Sequence, residues 1–303
     1  MAAPVLILVD RPLLGMSGGR RNGDGSSPGF AAADPSAPQL SVFDLGVTRA
    51  DGVFETVMVS DRNAPALEAH LARLSRSAAA LDFPPLDLGV WRDAVAAAVA
   101  AHPRVGLLAV KLVLTRGVEG TERPTAWVTA REAPDFTELR RRGLRVITLD
   151  RGVPHDLGSR SPWLPAAAKT LSYEVNSAAL REAARRGADD AVFVSSDGYV
   201  LEATTSSVLL RHGDRFTTPD AGQGGGSSQG IVAGTTVRRA FEVLERLGHT
   251  TASEALPVAA LTEADGIWLL SSIRRAVPVT RLDRAEREVD HDLTAKLNDE
   301  LGR

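Results

Sequence analysis

Two turn-bearing stretches in the second half of the chain restrict its fold more than any other feature. The stretch AVFVSSDGYVLEA carries two apolar runs around a Ser-Asp-Gly turn, and SSVLLRHGDRFTT carries two more around His-Gly-Asp. Runs of this length on both sides of a glycine-bearing turn are typical of β-hairpins. Because hairpins build antiparallel sheets, a regularly wound parallel sheet is disfavoured.

Helical periodicity alternates with these strand patterns in both halves of the chain. In the first half, VFETVMV (53–59) alternates apolar and polar residues, as a half-buried strand does. The next segment has apolar residues at helical spacing, namely Leu67, Leu71, Leu74 and Ala78. In the second half, a glycine-bearing turn enters a helix whose predicted apolar face comprises Val237, Phe241, Leu244 and Leu247. Mixed strands and helices with prominent hairpins predict an α+β fold.

Composition narrows the class of partner. The net charge of −3 lacks the basic excess expected of a nucleic-acid-binding domain. The chain has no cysteine, which excludes disulfides and thiolate ligands and is compatible with a reducing cytosol. Its six histidines are too scattered for a helical two-histidine metal pair, and its first apolar run is too short to span a membrane. These features predict a cytoplasmic globular protein with no metal, nucleic-acid or membrane partner.

The length of 303 residues allows two domains or one large one. Proline and glycine in residues 151–168 break both periodicities, which is typical of a connector. We therefore predict a small N-terminal domain at 1–150, this connector, and a larger C-terminal domain at 169–303. Residues 15–38 are rich in Gly, Ser and Pro and lack periodicity, so we predict a surface insertion there.

Four features of the second half together suit a phosphate-bearing cofactor: Lys169, Glu202, the pair Ser271 and Ser272, and the turn GIVAGTT. A lysine amine can form a Schiff base, a glutamate can keep a pyridine nitrogen protonated, and hydroxyls with a helix N-terminus can hold a phosphate. Taken singly, each feature is weak. A lone lysine after a loop is most often solvated, and a glutamate that ends a strand is most often a surface charge.

The order and spacing of several blocks make the signal more specific. Lys169, GADDAVFVSSDGYVLEATTSSV, GIVAGTTVRR and LLSSIRRAVPV resemble, in that order, the signature blocks of the fold-type IV pyridoxal-phosphate enzymes, the class IV aminotransferase family. Upstream, DLGVTRADGVFET and HLARL resemble its N-terminal blocks, so the resemblance runs from about residue 44 to about residue 280. It implies a two-domain fold like that of D-amino-acid aminotransferase, pyridoxal 5'-phosphate as cofactor, and a homodimer in which a partner loop completes the site.

Carried over position by position, the resemblance makes Lys169 the Schiff-base lysine and Glu202 the acid that binds the pyridine nitrogen. A carboxylate at that nitrogen favours the protonated ring, which then accepts electrons from the substrate. The alternative for Glu202 is a surface charge at the end of a strand. For Tyr173, on the turn after Lys169, a place near the cofactor and simple packing are equally open.

The resemblance also implies phosphate contacts, from the Arg73 guanidinium, the Thr235 backbone amide, and the hydroxyls of Thr236 and Ser272. A planar fork of donors suits Arg73 for phosphate, and an exposed helix arginine is the alternative. His70, in the same turn, is interpreted as a helix-surface or packing residue rather than a ligand. The chain departs from aminotransferases in having Ser-Ser where they commonly carry Gly-Thr, and a serine at 207 where many carry asparagine.

Two reactions of the family compete. Arg116 in KLVLTRG stands where the lyases carry an arginine directed at a substrate carboxylate, although an arginine at a strand end is ordinarily solvated or ion-paired. The blocks look most like proteins assigned as 4-amino-4-deoxychorismate lyases, which form 4-aminobenzoate and pyruvate in folate synthesis. The runner-up is an aminotransferase for branched-chain or D-amino acids. A non-catalytic member of the fold is a third alternative, but it predicts loss of Lys169 or Glu202, and both are present.

Overall fold

The structure, a computed structural model, describes residues 2–17, 28–222 and 229–303. The chain forms two compact units. The first unit comprises Met1–Pro134 together with Ala168–Ser172, and the second comprises Asp135–Ala167 together with Tyr173–Arg303. Each unit has its own sheet and its own hydrophobic core.

The first unit is built on a five-stranded antiparallel sheet with the strand order β2-β1-β5-β4-β3. Its strands are β1 (Val5–Val9), β2 (Phe30–Ala33), β3 (Gly52–Val59), β4 (Leu108–Thr115) and β5 (Thr125–Glu132). The strand predicted at 53–59 is confirmed as β3. Within the segment predicted as an insertion, 15–38, residues 30–33 form the edge strand β2, which pairs antiparallel with β1. Residues 18–27 of that segment lie outside the described residues.

Two helices, α2 (Leu67–Ala79) and α3 (Leu88–Ala101), pack against this sheet. The short helix α1 (Leu45–Thr48) precedes β3 and has no buried residues. The predicted apolar stripe is confirmed, since Leu71, Leu74 and Ala78 of α2 are buried in the core with Val53 and Val57 of β3. Successive residues of a strand point to opposite faces, so Phe54 lies on the face of β3 that is turned away from α2.

The short segment 168–172 continues the first sheet beyond β3. The Phe54 backbone N–H donates to the Lys169 carbonyl at 3.0 Å, and the Leu171 N–H donates to the Gly52 carbonyl at 2.9 Å. Thr170 forms an antiparallel bridge with Val53. This pairing places the segment in the first unit, whereas the sequence predicted that it would open the C-terminal domain.

The second unit contains a nine-stranded mixed sheet with the order β11-β10-β9-β12-β13-β6-β7-β8, and β14 pairs with β13. Its strands are β6 (Leu144–Asp150), β7 (Asp190–Val194), β8 (Val200–Ala203), β9 (Ser207–His212), β10 (Arg215–Pro219), β11 (Thr250–Glu254), β12 (Gly266–Ser271), β13 (Arg275–Leu282) and β14 (Ala285–Glu286). The two predicted hairpins are confirmed as β7–β8 and β9–β10. Residues 144–150 belong to this unit rather than to the first, because β6 pairs with β7 and β13.

The helices of the second unit are α4 (Thr137–Arg142), α5 (Leu157–Arg160), α6 (Glu174–Arg185), α7 (Thr235–Arg246), α8 (Ala259–Glu263) and α9 (His291–Leu301). The predicted apolar face of α7 is confirmed for Val237 and Leu244, which are buried. It is wrong for Leu247, because α7 ends at Arg246 and the Leu247 side chain is 45% exposed. Among the described residues, no helix is both long and apolar enough to cross a membrane.

Candidate active site

Lys169 is anchored in the first unit by its backbone on both sides. Its carbonyl accepts from Phe54 of β3 at 3.0 Å, and its own N–H donates to the Ser77 hydroxyl of α2 at 3.0 Å. We call the face of β3 that is turned away from α2 its outer face, and the face turned toward α2 its inner face. The Lys169 side chain runs along the outer face, where Nζ lies 4.5 Å from the centre of the Phe54 ring. Lys169 is therefore fixed at its backbone, while its amine lies against an aromatic ring.

A second lysine lies at the same ring. Lys111 of β4 places its Nζ 4.6 Å from the centre of Phe54. Burial, followed by the positive charges of Lys169 and Arg131, lowers the pKa of Lys111. Two ammonium groups thus meet one aromatic ring on the outer face of the sheet, a place that suits an anionic ligand.

Arg73 lies on the opposite face of β3 and is buried, so the alternative of an exposed helix arginine is wrong. Its Nε donates to Glu55 Oε1 at 2.5 Å and its Nη2 donates to Glu55 Oε2 at 2.8 Å. The buried His70 side chain lies with Nδ1 2.7 Å from Glu55 Oε2, which agrees with its interpretation as a packing residue. Burial alone would raise the pKa of Glu55, but the Arg73 charge and the hydrogen bonds from Arg73 and His70 lower it to about 2.

Arg116 follows β4 and is one-third exposed. Its Nε lies 3.3 Å from Asp51 Oδ2, its Nη2 donates to the Leu81 carbonyl, and its guanidinium carbon lies 4.1 Å from the centre of the Phe83 ring. These contacts use Nε and Nη2. Any substrate carboxylate would have to approach through Nη1 or displace Asp51.

Glu202 lies in the second unit, on β8, beside a cavity of about 470 Å³. Its Oε2 accepts from the Val232 backbone N–H at 3.3 Å. Val232 and Gly234, which lead into α7, line the same cavity. The carboxylate is therefore held at the wall of a cavity large enough for a small organic ligand.

The phosphate turn predicted from the sequence begins a twelve-residue helix. Gly234 is the N-cap of α7, and Thr235 and Thr236 form its first turn. A Cβ on Gly234 would clash with the Ser207 hydroxyl of β9, so the glycine favours the close approach of these two segments. Ser272 lies in the turn after β12. The helix N-terminus and the nearby hydroxyls are groups that bind phosphate.

A histidine and two carboxylates gather elsewhere in the second unit. One ligand atom from each of His155, Asp156 and Asp197 lies within 4.8 Å of the others. His155 Nδ1 lies 2.7 Å from Asp197 Oδ2, and the imidazole stacks on Tyr199 with ring centres 4.0 Å apart. Hydrogen bonds from Ser195 and His155 lower the pKa of Asp197. A hydrogen-bonded histidine–aspartate pair accounts for this cluster.

The residues fit a cofactor that carries an aldehyde, a pyridine nitrogen and a phosphate. By chemical type, the Lys169 amine of the first unit suits the aldehyde. In the second unit, the Glu202 carboxylate suits the nitrogen, and the donors at the α7 N-terminus suit the phosphate. The glycine at 234 leaves the space that a side chain would fill. The donor set thus matches pyridoxal phosphate group by group.

Two features of this region were missed by the sequence analysis. Glu55 could have been found, because its position in the alternation VFETVMV puts it on the same face as Val53 and Val57, and a charge on a buried face needs a partner. Lys111 carries no comparable signal, since a lysine in a strand is ordinarily solvated. Its relation to Lys169 depends on the pairing of residues 168–172 with β3.

The chain is similar to known proteins over most of its length. The chain is 45% identical over 262 residues to a bifunctional aminodeoxychorismate lyase / D-amino acid transaminase of Mycobacterium tuberculosis, covering 82% of this chain and 88% of that protein. A fold IV transaminase from Curtobacterium pusillum superposes with a TM-score of 0.91 at 48% identity, covering 99% of this chain and 97% of that one.

A hypothetical aminotransferase from M. tuberculosis in its PLP-bound form superposes with a TM-score of 0.84 at 39% identity, covering 98% of each chain. The sequence profile of the family described as amino-transferase class IV matches residues 52–282. The predicted fold, family and cofactor are thereby confirmed. The chain belongs to the class IV aminotransferases and is a fold-type IV enzyme that depends on pyridoxal phosphate.

Proposed function

We propose that this enzyme converts 4-amino-4-deoxychorismate into 4-aminobenzoate and pyruvate, a step of folate synthesis in the cytoplasm. The observation that carries the proposal is the second ammonium group, Lys111, at the Phe54 ring that also contacts Lys169. The substrate bears two carboxylates, one on its ring and one on its enolpyruvyl group. A site that gathers several cations near the reactive lysine suits such a dianion.

Two cations of the first unit are assigned to these carboxylates. Lys111 is proposed to bind one of them as a point charge, and Arg116 to bind the other through Nη1 while Asp51 and the Leu81 carbonyl hold its guanidinium. Arg73 and the α7 residues Thr235 and Thr236 are proposed to hold the cofactor phosphate, together with Ser272. For Arg73 this means that the arginine serves Glu55 and the phosphate at once.

Lys169 is proposed to move the protons of the reaction. It removes the proton from the amine-bearing carbon, and it returns a proton to the methylene carbon of the departing enolpyruvate. Pyridoxal phosphate, once bound, supplies the electron sink that makes the first proton transfer feasible. Glu202 sustains that sink by favouring a protonated ring nitrogen. Positioned proton transfer of this kind typically contributes about 10²–10⁴-fold in rate.

The balance of the reaction needs no other reactant. The C–H bond at the amine-bearing carbon breaks, the C–O bond to enolpyruvate breaks, and the electron pair of the first bond completes the aromatic ring. Enolpyruvate takes up one proton and becomes pyruvate. Aromatisation makes the elimination strongly downhill.

Transamination is the second candidate function. One relative at 45% identity is named both as an aminodeoxychorismate lyase and as a D-amino acid transaminase, which supports transamination as an alternative for this chain. A dicarboxylic amino or keto acid would also engage Lys111 and Arg116. Branched-chain amino acids carry a single carboxylate and have less use for two cations.

The deciding experiment offers the purified holoenzyme two sets of substrates. One cuvette contains 4-amino-4-deoxychorismate, and 4-aminobenzoate is measured by its fluorescence. The other contains D-alanine or a branched-chain amino acid with 2-oxoglutarate, and the new amino and keto acids are measured by chromatography. We expect 4-aminobenzoate and pyruvate in equal amounts from the first. If products form only in the second cuvette, the enzyme is an aminotransferase.

The enzyme is also proposed to act as a homodimer. The first unit exposes the apolar side chains Val42, Phe43 and Val47, which are 73%, 69% and 61% exposed, in one short stretch. Exposed apolar groups so close together are typical of a contact surface. Light scattering of the dilute holoenzyme tests this, and a fully active monomer would refute it.

A further inference from the structure

Arg274 lies in the same short turn as Ser272. Residues 272–274 connect β12 to β13, and Ser271 pairs with Arg275 where the two strands meet. Arg275 adopts a φ of 62°, a backbone conformation that residues other than glycine rarely adopt. A turn of this kind persists only when surrounding contacts hold it.

The guanidinium of Arg274 supplies such contacts. Its Nη1 and Nη2 each donate to Asp190 Oδ2 at 3.1 Å. Nη2 also donates to the Thr205 hydroxyl at 2.9 Å and to the Ser206 hydroxyl at 2.6 Å. The Asp190 side chain is completely buried. Moving the Arg274 guanidinium away would leave a buried carboxylate without its counter-charge, which is costly.

The Asp190 carboxylate is bound to the neighbouring turn as well. Its Oδ1 accepts from the Thr204 hydroxyl at 2.5 Å and from the Ala191 N–H at 2.9 Å. Residues 204–206 join β8, which carries Glu202, to β9, which begins at Ser207. Arg274 therefore ties the turn of Ser272 to the turn between Glu202 and Ser207.

We propose that Arg274 is a positioning residue for the cofactor phosphate. Through Asp190 and the hydroxyls of residues 205 and 206, it fixes the place of Ser272 relative to Ser207 and hence to the Gly234 N-cap of α7 that Ser207 contacts. The inference rests on the proposed phosphate role of Ser272 and the α7 turn. It holds equally for a lyase and for an aminotransferase.

The affinity of the protein for its cofactor tests this role independently of which reaction the enzyme catalyses. The full-length protein is stripped of cofactor and titrated with pyridoxal phosphate and, separately, with pyridoxal, which lacks the phosphate. The test variant is Arg274→Gln combined with Asp190→Asn, because the double change leaves no buried unpaired charge. The control is Arg215→Gln with Glu254→Gln, which removes an exposed arginine–glutamate pair of the same unit.

We expect the double variant to bind pyridoxal phosphate about 10- to 100-fold more weakly, the effect of losing about one hydrogen bond to a charged group. Its affinity for pyridoxal and its circular dichroism should match those of the wild type and the control. Equal losses for both ligands would show a merely structural role and overturn the proposal, as would no loss. If the wild type itself binds both ligands equally, the phosphate site is refuted and this inference with it, whichever reaction the enzyme performs.

Discussion

The two faces of β3 use charge in opposite ways. On the face turned toward α2, Glu55 is completely buried and receives both a guanidinium fork from Arg73 and a hydrogen bond from His70. On the other face, Phe54 meets the ammonium groups of Lys169 and Lys111. Two neighbouring residues of β3 thus have opposite surroundings. Glu55 forms a buried ion pair, whereas Phe54 contacts two groups of the same charge.

The two arrangements of charge are expected to have different effects, one on the stability of the protein and the other on ligand binding. Opposite charges that are buried together hold a helix to a sheet, and breaking such a pair is costly. Like charges placed close together repel each other, and the lowered pKa of Lys111 reflects this repulsion after the effect of burial. An anionic ligand would relieve the repulsion. The inner face is therefore expected to control mainly folding, although its Arg73 is also proposed to bind the cofactor phosphate. The outer face is expected to control substrate binding and catalysis.

The largest effect is expected at Lys169. Replacing it with alanine removes the amine that is proposed to attach the cofactor and to move protons, so turnover should fall by about 10²–10⁴-fold or more. The chain has only two other lysines, Lys111 and Lys296. Borohydride reduction of the wild type followed by peptide mapping should label the peptide of Lys169, and Lys296→Ala serves as the control. A label on Lys111 or Lys296 would overturn the assignment.

The second-largest effect, a loss of stability, is expected for Glu55 on the inner face of β3. Glu55→Gln leaves Arg73 buried without its counter-charge, which should lower the free energy of unfolding by about 3–5 kcal/mol. Urea denaturation of the holoenzyme measures the change. Glu68→Gln is the control, because Glu68 pairs with Arg92 at the surface, where an ion pair contributes at most about 1 kcal/mol. Similar losses in the two variants would contradict the contrast between the faces.

A smaller effect is expected for Lys111. Lys111→Gln should raise KM for 4-amino-4-deoxychorismate by about 10- to 100-fold, as expected for a lost contact between charged groups, with a smaller change in kcat. Lys111→Arg keeps the charge and should recover part of the loss. Steady-state kinetics with both variants give the result. An unchanged KM would show that the second ammonium group has no part in substrate binding.

The smallest effect is a pH dependence of the ion pair. The pKa of Glu55 is lowered from 4.5 to about 2, so its stabilising contribution is complete above about pH 4.5 and is lost as the pH falls toward 2. The stability gap between wild type and Glu55→Gln should therefore narrow as the pH is lowered from 6 to 3. Urea titrations across this range measure the gap. A gap that stayed constant would mean that Glu55 is not charged in the folded protein.

The sequence predicted local elements better than their partners. Strand β3 and helix α2 were predicted because their periodicities are strong and local. The pairing of residues 168–172 with β3 was not, because backbone hydrogen bonds between distant segments leave no periodic trace. For the same reason, the lysine was assigned to the second domain although its segment belongs to the first unit. The buried state of Arg73 was also missed, since it follows from Glu55 and not from the helix pattern.

The segment that carries Lys169 also pairs with the edge strand of a sheet. β3 is the last strand of its sheet, and an uncovered edge strand offers unpaired N–H and C=O groups to any neighbouring chain. The bonds from Phe54 to Lys169 and from Leu171 to Gly52 occupy the first part of that edge. A gene cut at residue 150 would therefore yield a fragment with an open edge, prone to self-association. The segment that carries Lys169 is thus also expected to protect the first unit from aggregation.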